Sequence, residues 1–121
     1  MANTFKVATF AAEPASAGTP YVMYTVASST TTVILGLVLT NLNTTSVTAE
    51  VELVSDTANR NGTNNVANGP SFLVKDVNIP AGSSLEVLTG GKVVMETTDI
   101  LKIDCSVADK LSGTLSIMEI T

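Results

Sequence analysis

The sequence predicts an all-β fold, an antiparallel β-sandwich or jelly-roll-like barrel of about eight or nine short strands with an extended N-terminal arm. Three observations point there. Between Phe72 and Val107, short apolar runs alternate with turn chemistry. Phe72–Ile79 ends in Pro80-Ala81-Gly82, Leu85–Leu88 in Gly90-Gly91-Lys92, and Val93–Met95 in Thr97-Thr98-Asp99, before Ile100–Val107 begins. No stretch carries a convincing helical pattern. At 121 residues, 45% hydrophobic and 14% charged, the chain makes one domain with its own core.

In chain order, Thr4–Phe10 reads as a first strand or an extended arm, and Ala11–Thr19 as a small, turn-prone connector. Residues 1–20 are therefore set apart as an arm from a sandwich of residues 21–121. Tyr21–Val26 is a strand and Ala27–Thr30 the turn after it. Thr31–Leu42 is the most apolar run; Val33, Leu35, Leu37 and Leu39 fall on one face, and Ile34, Val38 and Leu42 on the other. Its β-branched content favours a strand over a helix, and two apolar faces require cover on both. Gly36 within it indicates a bulge or a close backbone approach. Asn43-Thr44-Thr45 connects tightly to Ser46–Asp56, where Val47, Ala49, Val51 and Leu53 oppose Thr48, Glu50 and Glu52.

Asp56–Pro70 is polar and Asn-rich, a surface loop whose Asn59, Arg60, Asn61, Asn64 and Asn65 are candidate contact residues. In Gly113–Ile120, Leu115 and Ile117 face one way and Met118 and Ile120 the other. The apolar surplus exceeds what a two-layer sandwich hides, so Ile34, Val38, Leu42, Met118 and Ile120 form a candidate interface.

Several chemistries lose their residues. A net charge of −5, with six dispersed basic side chains, argues against a nucleic-acid partner. No apolar run approaches the roughly 20 residues of a membrane span, and the first residues lack a secretory pattern; a soluble protein made in a cytoplasm is expected. There is no His, which removes imidazole-based triads and metal sites. The single Cys105 shares the alternate register of Leu101 and Ile103 and reads as a buried thiol. Glu50 and Glu52 share a face that reads as solvent, so paired-acid catalysis is not expected. Gly90-Gly91-Lys92 lacks the rest of a phosphate loop and reads as a hairpin turn. The expectation is a non-enzyme with no catalytic, cofactor-binding or metal residues.

Tyr24-Thr25-Val26-Ala27, Thr31–Leu37, the turn Ile79–Leu88, and Gly91-Lys92-Val93-Val94 followed by Asp99 resemble a group of small virion structural proteins of tailed bacteriophages. The resemblance covers nearly the whole domain after the arm. It implies a β-sandwich that oligomerises on a phage particle, most readily a capsid decoration (cement) protein that stabilises the head through apolar interfaces. Its partners would be the major capsid protein or other virion proteins. Sister copies would join as a homo-oligomer, a trimer suiting a local threefold axis, and the arm Ala2–Pro20 would lace neighbours together. The protein would reside in the virion after synthesis in the host bacterial cytoplasm. Two alternatives stand beside it: a neck, tail or fibre-attachment protein, and a glycan-binding β-sandwich module using Tyr21 or Tyr24.

Overall fold

A computed structural model describes residues 2–55, 69–88 and 91–121. Among them are nine strands and no helix: β1 (Asn3–Glu13), β2 (Tyr21–Thr25), β3 (Thr31–Asn41), β4 (Val47–Ser55), β5 (Gly69–Ile79), β6 (Ser84–Glu86), β7 (Val93–Met95), β8 (Ile100–Cys105) and β9 (Leu111–Ile120). They form two antiparallel sheets, a β-sandwich. One sheet has the order β1-β9-β3-β6, with β7 also on β3; the other has the order β2-β8-β4-β5. The pairings nest: β1 with β9, β2 with β8, β3 with β6 and β7, β4 with β5.

The strand β3 shows why simple alternation fails. Ile34 pairs with Ile117 of β9, and Gly36 with the next residue, Ser116, so Leu35 is an extra residue in β3. A one-residue insertion moves every following side chain to the other face. Thr32 and Ile34 point inward before the bulge; Leu37, Leu39 and Asn41 point inward after it. Gly36, expected to mark a bulge, sits in it. The core is filled from both sheets by Ile34, Leu37, Leu39, Leu115 and Ile117 on one side and Ala49, Val51, Leu101, Ile103 and Cys105 on the other.

Several expectations need correcting. Of the two readings of Thr4–Phe10, a strand or an extended arm, the strand is found: alternation puts Ala8 and Phe10 against the core while the backbone pairs with β9 from Asn3 to Phe10. A division at residue 20 therefore cuts through one sheet. Asn43-Thr44-Thr45 does not close a hairpin: β3 and β4 lie in opposite sheets, and the connection crosses between them. Of the expected hairpin turn Gly90-Gly91-Lys92, Gly90 lies outside the described residues, and β6 and β7 do not pair with each other. Both border β3, at Val38–Thr40 and at Thr32–Ile34, as two pieces of one interrupted edge. Gly69 and Pro70, expected in the loop, pair with Ser55 and Val54 in β5.

Buried polar groups tie the layers. Asn41 is 1% exposed, and its Nδ2 donates to Thr45 O (3.0 Å) and Ile79 O (2.9 Å), while Asn43 N donates to its Oδ1 (2.8 Å). One side chain thus holds the crossing loop and joins β3 to the end of β5. At the turn Pro80-Ala81-Gly82-Ser83, Ser83 N donates to Pro80 O, and Gly82 takes a φ of 70° that favours glycine.

Phe10 lies over Gly113, its cross-strand partner in β9, and tilts against Tyr21 with ring centroids 5.2 Å apart. A Cβ at position 113 would stand 2.2 Å from the Phe10 ring. The absent side chain is therefore the seat of the ring. Gly113→Ala is expected to destabilise the fold by about 1–3 kcal/mol in chemical denaturation. In a double-mutant cycle, Phe10→Leu should make the same change milder, since the clashing ring is gone.

Candidate functional site

The outer faces of the two sheets differ in chemistry. Cross-strand partners share a face, so the register identifies what each presents. On the four-stranded sheet, Val22, Lys102, Glu52 and Phe72 form one row, and Glu50, Lys75 and Asp104 lie on the same side. Lys75 Nζ sits 3.1 Å from Glu50 Oε1 and 4.6 Å from the Phe72 ring centroid. This is a solvated, charge-paired surface.

The five-stranded sheet presents something else. Phe5 pairs with Met118, Met118 with Val33, and Val33 with Val94, giving an apolar row across β1, β9, β3 and β7. Phe5 is 73% exposed and Val94 58%. Val7 (64% exposed), Ile120 and Val38 flank the row, with Thr9, Thr31, Thr40, Ser112, Thr114 and Ser116 between. Glu86, on the short border strand β6, is the one charged strand residue on this face among the described residues.

Of the candidate interface residues, Ile34 must be withdrawn. It has no exposed surface because the bulge at Leu35 turns it inward, opposite to Val38. Val38 lies on the outer face beside Thr114 and Glu86, and Leu42 is exposed just past the end of β3. Met118 and Ile120 are half-buried on the outer face, between β1 and β3. The loop residues Asn59, Arg60, Asn61, Asn64 and Asn65 lie outside the described residues. Sequence reasoning missed Phe5, Val7, Val33 and Val94. Phe5 and Val7 alternate visibly with Thr4 and Lys6, whereas Val94 joins the face only through pairing with a strand about 60 residues earlier.

A polar clamp stands on the inner side of the same sheet, at the end near the termini. Tyr24 Oη donates to Glu119 Oε2 (2.5 Å) and lies 2.8 Å from Thr32 Oγ1; Lys6 Nζ is 2.7 Å from Glu119 Oε1. Four strands meet there, β1, β2, β3 and β9. Burial, then the neighbouring Glu119, pushes the Tyr24 phenol up to about 12. The Lys6 ammonium, then the Tyr24 hydroxyl, hold the Glu119 carboxyl below its ordinary value. Tyr24 therefore remains a protonated donor at neutral pH and Glu119 an acceptor, as a structural tie requires.

Both tyrosines are half-buried: Tyr24 is held by Glu119 and Thr32, and Tyr21 packs against Phe10. A depression of about 330 Å³ beside Gly18 is bordered by Glu50, Asp76 and Asp104. Lys75 Nζ lies 3.1 Å from Glu50 Oε1 and 4.0 Å from Asp76 Oδ2, and Asp104 Oδ1 accepts from Gly18 N (3.2 Å) and Cys105 N (2.8 Å). Glu50 and Asp104 thus have partners within the fold. Cys105 is 3% exposed, and burial pushes its thiol above the usual range.

Comparison with known proteins found no matching family model, no matching curated protein and no matching solved structure.

Glu119→Gln is expected to lower stability at neutral pH by about 1–2 kcal/mol, the scale of a lost charged hydrogen bond. A carboxyl lowered by folding contributes its stability above the unfolded value of about 4.3, and that is lost as pH falls through the folded value. Unfolding curves of the two proteins should therefore converge in acid. Cys105 should resist alkylation in the native protein and react once denaturant unfolds it, as read by mass spectrometry.

Proposed function

We propose that the chain is a non-enzymatic structural subunit of a tailed-phage virion, acting as a capsid decoration protein that docks through the outer face of its five-stranded sheet. The observation that carries this reading is the contrast between that face, with its Phe5–Met118–Val33–Val94 row, and the charge-paired face opposite. A face with one charged strand residue at its border and contiguous exposed apolar groups is a surface to be covered by protein. The nested strand pairing supports the reading by analogy, since it is the jelly-roll pattern used in viral capsid and lectin domains. So does the resemblance of the strand and turn motifs to small phage virion proteins. The function is mechanical: apolar contacts to the shell add binding energy that resists internal pressure.

The test uses particles assembled with and without the chain. Those lacking it should release DNA at a lower temperature, and added purified protein should restore resistance. Val33→Lys with Val94→Lys should fold yet bind roughly 100-fold more weakly, since each buried valine is worth about 1.5 kcal/mol. If particles without the chain are equally resistant and wild-type protein does not bind them, the reading fails. Attachment at the neck or tail instead would appear as density there in a particle map.

A further inference from the structure

The edges of the two sheets are unequally protected. Exposed edges are normally blunted by shortness, bulges, proline or charge. β2 has five residues and a register shift between Val22 and Tyr24. β5 carries Pro70, register shifts opposite Val51, and Asp76 at a φ of 52°. β6 and β7 have three residues each. β1 has none of these devices from Asn3 to Phe10, where it pairs with β9 without a shift. Its one charge there, Lys6, is on the inner side and drawn toward Glu119, away from the open edge.

The hydrogen-bonding phase of that edge follows from the chain ends. Ala2 and Thr121 exchange both backbone bonds, at 3.0 and 2.9 Å. Hydrogen-bonded pairs alternate along an antiparallel ladder, so the even residues Ala2 to Phe10 bond to β9. Asn3, Phe5, Val7 and Thr9 consequently turn their N–H and C=O groups outward. The same four place their side chains on the outer face, at the edge away from Glu86. An occupant of this edge must therefore be an extended strand, and one apolar on the face it shares with Phe5 and Val7.

We propose that the occupant is β1 of a second copy, paired antiparallel about a twofold axis through Lys6. In that register Phe5 faces Val7 of the second copy and Asn3 faces Thr9, so apolar meets apolar and polar meets polar. The four outward residues of each strand exchange about eight backbone bonds. The two Lys6 side chains meet near the axis, each already neutralised by its own Glu119. The apolar row of one copy then runs on into that of the other, and the most exposed aromatic, Phe5, is covered. The contact is isologous, so it closes at two copies. It does not depend on the virion reading.

Sedimentation equilibrium, with amide hydrogen exchange on the same sample, tests the pairing. A dimer of twice the 12.5 kDa chain is expected, with the amides of Phe5, Val7 and Thr9 as protected as those of Lys6 and Ala8. Val7→Pro removes only an outward N–H, which an edge strand tolerates, and should leave a folded monomer. Should that variant not fold, exchange in the wild type decides together with Phe5→Lys, expected to be monomeric. A monomer, a trimer, a dimer with unprotected odd-numbered amides, or protection that arises only on adding capsids would overturn the proposal.

Discussion

One extra residue in β3 sets the phase of the whole five-stranded sheet. β3 is bordered by β9 along one side and by β6 and β7 along the other, so its side-chain phase is imposed on both neighbours. The insertion of Leu35 lets Ile34 and Leu37, three residues apart, both enter the core. It also divides the far edge: β7 pairs before the bulge and β6 after it. A strand without the insertion would keep one alternation throughout and would turn either Ile34 or Leu37 to solvent, together with their partners.

With one cysteine, no disulfide can close this sandwich, and contacts far apart in sequence do so instead. Phe10 on Gly113 and against Tyr21 fastens the edge strand to both layers. Lys6, Glu119, Tyr24 and Thr32 fasten the opposite end of β1. Asn41 holds the crossing from β3 to β4. Each uses a residue that cannot be replaced by a generic apolar one, which gives the β sandwich one register among several of similar hydrophobicity.

Much of the fold was legible because burial writes itself into alternation. Val47, Ala49 and Val51 against Thr48 and Glu50, or Leu115 and Ile117 against Met118, identify strand, inner face and outer face without knowledge of partners. Cys105 in register with Ile103 was legible as a core thiol for the same reason. The faces of Thr31–Leu42 were not, because Gly36 announces a bulge but not which side of it each leucine takes. The placement of β6 and β7 along one edge of β3 was hidden because glycines between two short apolar runs do not say whether the runs pair with each other or with a third strand. The outer apolar row was hidden most deeply: Phe5, Val33, Val94 and Met118 become neighbours only through pairings with no local signature. Tyr24, which donates to Glu119, lies 95 residues away from it.

The placement of β9 has a consequence for how the molecule comes into being. Among the described residues, β9 follows the other strands in sequence, yet it lies between β1 and β3 as the one strand paired with β1. Until it arrives, β1 lacks this ladder, and the inner faces of β1 and β3 stand apart with an open slot between them. Closure of this sheet must therefore wait for β9, slow as sheets of distant pairings are. During that wait the nascent polypeptide would expose its greasiest strand, β3, on the ribosome, making this interval the one in which a chaperone would matter most.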